Sequence, residues 1–263
     1  MRASVGSVAL VVVLGLLAGG CAAAKRRDLK AKDYWPTKSE WKRSTVLALK
    51  DRGTWIPAAG AALMAIDDWD QEISDWAVEN TPVFGSVDDA KEASDNLRTV
   101  TSFAMVGTAL AVPNGSRAWE FKPERLALEI GGLQLNNVLT GSLKGLTGRT
   151  RPDGSDDRSF PSGHASQAFT RVTFARLNVN QIESIGRPGK ITLKATFTAI
   201  AAGTAWARVE GDKHYPSDVM FSAALGNFVA RFVHEAFLPE DSDAQIGAYI
   251  GPREASFTVT FTF

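Results

Sequence analysis

A histidine and an aspartate in the last fifth of the chain have the side-chain types and the spacing required for nucleophilic chemistry. His214 precedes Pro216, which suits the first turn of a helix, and Asp218 follows the histidine by four positions. The carboxylate can therefore reach one imidazole nitrogen, fix the tautomer and leave the other nitrogen as a nucleophile. For this pair alone, a purely structural hydrogen bond is the favoured alternative.

A short turn earlier in the chain could place a second imidazole at an anion-binding site. Ser162, Gly163 and His164 follow a proline. Serine is a good helix cap, and glycine permits a close approach to the backbone. Because the free amides at the start of a helix bind anions, His164 would enter this site as a proton donor. By itself, such a turn is more often simply a helix cap.

Basic residues precede each of these two histidines in the chain. Lys144 and Arg151 are seven positions apart, which is two helical turns, so both can point from one helix face. Arg149 is offset from that face and is predicted to lie at the surface. Basic residues at a helix end also commonly satisfy the helix dipole, so this segment is weak evidence alone. Arg208 precedes His214 by six positions.

In order, the three segments contain K-x6-R-P, P-S-G-H and R-x5-H-x3-D. This resembles the three-part signature of the type 2 phosphatidic acid phosphatase and vanadium haloperoxidase superfamily, and every charged and histidine position of that signature is present. Two departures occur. The serine that usually precedes the third-motif arginine is Ala207, and the gap between Pro152 and Pro161 is short. The resemblance covers Lys144 to Asp218 directly.

The resemblance implies a phosphatase that forms a phosphohistidine. It assigns His214 as the nucleophile, Asp218 as its orienting partner, and His164 as the acid that protonates the leaving alcohol and later activates water. The groups assigned to phosphate binding are Lys144, Arg151, Arg208, Ser162 and the Gly163 amide. Fixed cations can neutralise a phosphoryl group without a metal ion. Since the signature lacks carboxylate clusters suited to magnesium, we expect no metal and no cofactor.

The elements that must position these groups are predicted to be helices. With 44% apolar and 22% charged residues in 263 positions, the chain can bury one main core. Paired apolar residues predict a last helix between Pro216 and Pro239, and a second long helix should extend from about Pro123 to Arg149. Apolar segments such as Thr54–Ile66 are shorter than a membrane span. The predicted helical domain covers residues 51–240.

Three further patterns concern the periphery of this domain. Strict alternation from Phe257 to Phe263 and weaker alternation from Ala244 to Ile250 predict a short C-terminal β-hairpin over 241–263, so the fold class is an all-α bundle with a hairpin. The acidic run that includes Asp70 is expected to be a solvated helix face. Six of the seven tryptophans precede the first motif; core packing explains most of them, and a membrane-facing lip is the alternative.

The N-terminus has the pattern of an export signal. An apolar stretch over Val8 to Ala18 predicts a signal peptide at 1–20, and the small residues before Cys21 resemble a bacterial lipobox with an acylated cysteine. Cleavage after Ala24 and an uncleaved anchor helix are the alternatives. Residues 21–50 are predicted to be a basic linker next to the membrane. The 29 basic and 29 acidic residues give no general attraction to nucleic acid.

These features together predict a lipid-anchored phosphatase of the bacterial envelope, periplasmic, with the outer membrane favoured. Its substrate would be a lipid phosphate or diphosphate of the phosphatidic acid, undecaprenyl diphosphate or lipid A type. Three alternatives remain: a non-specific acid phosphatase acting on soluble phosphomonoesters, a vanadate-dependent haloperoxidase, and a non-catalytic envelope lipoprotein. The sequence does not specify the oligomeric state.

Overall fold

The computed structural model describes residues 35–66, 68–113 and 118–238, together with the backbone of two strands; the side chains of 118–121 and of the strands lie outside the described residues. Within these ranges the chain forms eight helices and one pair of strands. The helices are α1 (Lys38–Lys50), α2 (Arg52–Met64), α3 (Trp69–Asn80), α4 (Val87–Ala111), α5 (Ala118–Thr147), α6 (Gly163–Gln181), α7 (Arg187–Glu210) and α8 (Pro216–Phe237). The strands are β1 (Ala244–Ile250) and β2 (Ala255–Phe261). The helical bundle expected from the sequence is confirmed.

Helix α1 corrects the prediction of a linker at residues 38–50; residues 21–34 of that predicted linker lie outside the described residues. Thr37 caps the helix: its hydroxyl accepts from the Glu40 amide, and the Glu40 carboxylate accepts from the Thr37 amide at 2.6 Å. The Trp41 ring packs 5.3 Å from the ring of Phe232 in α8. Thr-x-x-Glu is a known start signal for a helix, so the sequence did contain the evidence against a linker at these positions. The predicted signal peptide and Cys21 lie outside the described residues.

Helix α6 is the centre of the bundle and contacts α4, α5, α7 and α8. Its approach to α8 is especially close, because a Cβ atom added at Gly226 would lie 2.5 Å from the Ser166 carbonyl oxygen and 2.9 Å from the Thr170 amide nitrogen. Only glycine fits such a backbone contact. The contact brings the N-terminal ends of α6 and α8, which contain His164 and Asp218, to the same end of the bundle.

A Gly226→Ala substitution tests this contact. We expect it to lower the free energy of unfolding by about 1–3 kcal/mol, because the new methyl group must displace backbone atoms of α6. Urea unfolding measures the change. Gly131→Ala is the matched control: a Cβ there meets nothing within 4 Å among the described residues, so alanine should be neutral or stabilising by up to about 1 kcal/mol. Equal effects of the two substitutions would contradict the close packing.

Helices α2 and α5 lie antiparallel to α8 and flank it. Gly53 approaches Asn227 and Gly60 approaches Met220, so the C-terminal end of α2 lies beside the start of α8. Likewise, Gly132 of α5 approaches Val233 near the end of α8. Both helices therefore end where α6 and α8 begin. This topology brings chain segments that are distant in sequence to one end of the bundle.

The two strands pair antiparallel, from Ala244 opposite Phe261 to Ile250 opposite Ala255. Residues 251–254, which would connect them, lie outside the described residues. None of the helices in the described part of the chain combines the length and apolar character needed to cross a membrane.

Candidate active site

His214 is held as a neutral imidazole with one nitrogen available. Its Nδ1 atom lies 2.6 Å from the backbone carbonyl oxygen of Ser159. Because a carbonyl can only accept, Nδ1 bears the proton and Nε2 keeps its lone pair. The side chain is only 2% exposed, and burial lowers its pKa to about 4. The ring is therefore neutral at pH 7, as a nucleophile must be.

Asp218 acts on His214 less directly than the spacing suggests. Its Oδ2 atom is 3.7 Å from Nδ1 of His214, beyond hydrogen-bonding distance. The carboxylate instead accepts a hydrogen bond from the Ser159 hydroxyl and one from the Tyr215 amide at 2.9 Å. It thus fixes Ser159, whose carbonyl holds the imidazole. Burial opposes ionisation of Asp218, but His214, the Ser159 hydroxyl and the Arg149 guanidinium together keep its pKa below the usual value.

Arg149 belongs to the site and is not the surface residue that the helical offset predicted. Its Nη1 atom donates to Asp218 at 2.7 Å, its Nη2 atom donates to Asp70 at 2.7 Å, and its guanidinium lies 4.0 Å from the Tyr215 ring centre. The helix ends at Thr147, and the next residue, Gly148, has a φ of 54°. Helical spacing therefore does not apply beyond Thr147, and the loop turns Arg149 toward α8.

Asp70 departs from the expectation of a solvated acidic face, whereas Asp68, Glu72 and Asp75 of the same run are exposed as expected. Its side chain is buried and accepts from the Ser217 amide at 2.7 Å and from the Ser217 hydroxyl. A free amide at the first turn of a helix needs such a partner, so Asp70 of α3 caps α8 from outside. Together with Asp218 it surrounds Arg149 with two carboxylates. Asp70 and Arg149 had no recognisable spacing signal in the sequence.

The charge of Arg151 acts on both of the other predicted phosphate-binding cations, Lys144 and Arg208. Burial and the nearby Arg151 lower the pKa of Lys144 to about 8, and burial and Arg151 also lower the pKa of Arg208 to about 10. Lys144 donates to the Arg158 carbonyl, and Arg151 lies 2.6 Å from Asp156. Arg208 is buried, and its Nε atom has no hydrogen-bond partner among the described residues. Mutually repelling cations with an unused buried donor favour an anion between them.

His164 lies at the start of α6 with a carboxylate on one side of the ring. Its Nε2 atom is 2.9 Å from Oδ1 of Asp95 in α4. Burial and the charge of Arg208 lower the pKa of His164 to about 4, while Asp95 raises it. Asp95 was not identified from the sequence, since 69 positions separate it from the histidine.

Ser162 caps α6, with its hydroxyl 3.4 Å from the Ala165 amide. A Cβ added at Gly163 would meet no described atom within 4 Å, so the space over this backbone is open.

The charge of Arg208 acts on both His164 and His214, and that of Lys144 acts on His214. The structure therefore brings the two imidazoles and the cations of all three motifs to one end of the bundle. Their catalytic roles stay predictions. Among the described residues, no group of three or more histidine, cysteine or acidic side chains is arranged to hold a metal ion.

Fold and site define a helical bundle with two histidines and several cations at one end. Residues 126–240 match the family model described as the PAP2 superfamily, and this range includes all three motifs. Residues 126–240 are thus similar to the PAP2 superfamily, and this match bears out the resemblance drawn from the motifs.

Three similar proteins place this region of the chain in context. A lipid A 1-phosphatase of Porphyromonas gingivalis is 31% identical over 43% of this chain and 23% of its own length. The lipid phosphate phosphatase 1 of Arabidopsis thaliana is 28% identical over 40% of this chain and 42% of its own length. The chain therefore matches less than half of either relative. A transmembrane PAP2-type phosphatidylglycerolphosphate phosphatase from Bacillus subtilis shares the fold, with a TM-score of 0.51, 20% identity, and coverage of 74% of this chain and 94% of that structure.

Proposed function

We propose that this protein hydrolyses a lipid phosphate or diphosphate through a phosphohistidine on His214, without a metal ion. The observation that supports this best is the neutral, buried His214, with Nε2 free of a proton and with the charges of Lys144 and Arg208 acting on it. A nucleophilic nitrogen beside fixed cations is the arrangement that phosphoryl transfer to histidine requires.

In the first step, Nε2 of His214 attacks phosphorus and the bond from phosphorus to the leaving oxygen breaks. Lys144, Arg151 and Arg208 neutralise the charge on the phosphoryl oxygens, and this electrostatic stabilisation is the main contribution to the rate. His164 gives its proton to the leaving oxygen. The pKa of His164 is only about 4 in the free protein. A bound phosphate dianion raises this pKa, so that His164 is protonated when the substrate is bound.

In the second step, water attacks the phosphohistidine. His164, now neutral, accepts a proton from this water, the bond from nitrogen to phosphorus breaks, and inorganic phosphate leaves with His214 restored. The same imidazole is therefore acid in one step and base in the other. The open space over Gly163 gives a substrate access to the α6 amides.

The lipid character of the substrate is inferred from the two curated relatives, whose names specify lipid A and lipid phosphate. We propose the phosphatidic acid, undecaprenyl diphosphate or lipid A type for this protein, and anchoring in the envelope through an acylated Cys21. The test is release of phosphate by purified protein in EDTA from these lipids and from p-nitrophenyl phosphate. Absence of turnover on every substrate would refute a phosphatase, and turnover of the soluble ester alone would refute the lipid specificity.

Asp95→Asn is expected to lower kcat about tenfold at neutral pH. The carboxylate raises the pKa of His164, so its removal lowers that pKa and depletes the protonated acid, at about tenfold per pKa unit. The basic limb of the kcat–pH profile should therefore move to lower pH. Asp88→Asn on the same helix, at a side chain that is 93% exposed and pairs with Lys91, should leave the profile unchanged. A uniform loss of activity without a shift of the limb would contradict a role through His164.

A further inference from the structure

The outer surface of α2 is apolar after its first residue, Arg52. No charged residue occurs from Gly53 to Ile66, and the exposed side chains of this segment include Trp55, Ile56, Leu63 and Ile66, the last of which is 76% exposed. A surface helix of a globular protein normally presents charged residues to water. Contiguous exposed apolar area of this kind indicates an interaction surface.

Helix α5 presents a second surface of the same kind. Between Ala127 and Ser142 its one charged residue, Glu129, is fully buried, whereas Ile130, Leu135 and Val138 are exposed. Val138 is 64% exposed. These 16 residues span about 24 Å at 1.5 Å per residue. Leu146, one turn further, is exposed beside the site residue Lys144.

A row of half-buried side chains on α8 lies between these two helices. Phe221, Leu225, Phe228 and Phe232 recur on one side of α8 and are partly exposed. The row leads to the site, because the ring of Phe221 lies 4.7 Å from the ring of Phe160. Phe160 directly follows Ser159, whose carbonyl holds His214. We define the exposed apolar residues of α2, this row of α8 and those of α5 as the α2–α8–α5 face.

The charges around the face are those that suit an anionic membrane. Helix α1 contacts both α2 and α8 and contains four basic residues and one acidic residue in the sequence KSEWKRSTVLALK. Exposed Lys42, Arg43 and Lys50 therefore lie beside the apolar surface. Tryptophan next to aliphatic residues with a basic flank is typical of helices that lie in the membrane interface.

We propose that the α2–α8–α5 face docks on an anionic lipid bilayer and that the α8 row guides the acyl chains of the substrate from the bilayer to the site. The protein would thus lie on the membrane by one flank of its bundle, so that the reacting phosphate stays at headgroup level. The assignment of the acyl chains rests on the proposed lipid phosphatase function, whereas docking of the face does not.

Site-directed fluorescent probes test the orientation on the full chain. A thiol-reactive probe is placed at Ile56→Cys, at Val138→Cys or at Ile191→Cys, which is exposed on α7, with the unsubstituted protein as the background for Cys21. Vesicles of phosphatidylethanolamine and phosphatidylglycerol include a nitroxide-labelled lipid. Probes at 56 and 138 should be quenched, and the probe at 191 should not. Equal quenching at all three positions would overturn the proposal, since the protein would then be held to the vesicle by its N-terminal segment with no preferred orientation.

Activity of a second set of variants separates docking from catalysis. Leu135→Asp with Val138→Asp should lower turnover of vesicle-embedded phosphatidic acid about tenfold or more, since two buried apolar contacts with lipid are lost. Turnover of p-nitrophenyl phosphate should be unchanged. Ile191→Asp should affect neither substrate. Loss of both activities would overturn docking as the role of the face.

Absence of all turnover in the unsubstituted protein would refute the phosphatase function alone, since the probes still report docking. A dimer in sedimentation, with the probe at 138 shielded without vesicles, would assign the face to a second copy and overturn the proposal.

Discussion

His214→Ala should lower kcat about a thousandfold or more while the protein stays folded, because removal of a nucleophile in a concerted site costs most of the catalytic effect. Steady-state hydrolysis of p-nitrophenyl phosphate and of phosphatidic acid measures the loss. Unfolding in urea confirms that the variant retains its core. Full activity of this variant would refute phosphoryl transfer to His214.

His164→Ala provides the matched comparison. With p-nitrophenyl phosphate the leaving group needs little protonation, so the first step should still occur in this variant, but the second step lacks its base. With p-nitrophenyl phosphate that is radiolabelled at phosphorus, labelled phosphoryl groups should therefore accumulate on the protein in an acid-labile, alkali-stable form. No label should appear when His214 is also replaced. Label on the double variant would place the phosphoryl group on another residue.

Arg149→Met should have the largest effect on stability among the site residues. It leaves Asp70 and Asp218, both buried, without their shared counter-ion. Breaking a buried pair in this way typically costs 3–5 kcal/mol; because the Arg149 side chain is 33% exposed, we expect about 3 kcal/mol, at the lower end of that range. Urea unfolding at pH 7 measures the loss. Lys91→Met, which removes an exposed pair with Asp88, should cost less than about 1 kcal/mol.

The loss in free energy of unfolding caused by Arg149→Met should depend on pH, and it should be larger at neutral than at acidic pH. In the native protein the pKa of Asp218 is lowered, so this carboxylate stabilises the fold above its unfolded pKa of about 4 and that contribution is lost in acid. Without Arg149, burial dominates and raises the pKa of Asp218 in the folded variant. The variant therefore loses stability as the pH rises through this raised pKa. The difference between variant and native protein should therefore shrink from pH 7 to pH 4. A difference that is constant with pH would contradict the ion pair.

The residues found from the sequence are those whose spacing is local. His214 and Asp218 are four positions apart, and Ser162 and His164 are two apart, so a single turn or helix start places each pair. The long helix α8 was also accessible, because its apolar residues recur regularly between two prolines. Lys144 and Arg151 were assigned to one site by the motif, although the helical argument for their common face fails at Gly148.

The groups that sequence reasoning missed act across the bundle. Asp70 reaches Ser217 over 147 positions, and Asp95 reaches His164 over 69. Such contacts depend on how helices pack, which local spacing does not encode. Arg149 was misplaced for a related reason, since a turn after the helix end determines its direction. By contrast, α1 could have been found, because Thr37 and Glu40 form a recognisable capping pair.

The neutral partner of His214, the Ser159 carbonyl, has a consequence for the lifetime of the phosphohistidine that we propose. Phosphorylation at Nε2, with the proton kept on Nδ1, makes the ring cationic, and an amide oxygen compensates that charge less well than a directly bonded carboxylate would. The phosphorylated ring is therefore a good leaving group. Under the proposed mechanism, the phosphoryl group would pass to water soon after capture, and only millisecond quenching should reveal the intermediate in the unsubstituted protein.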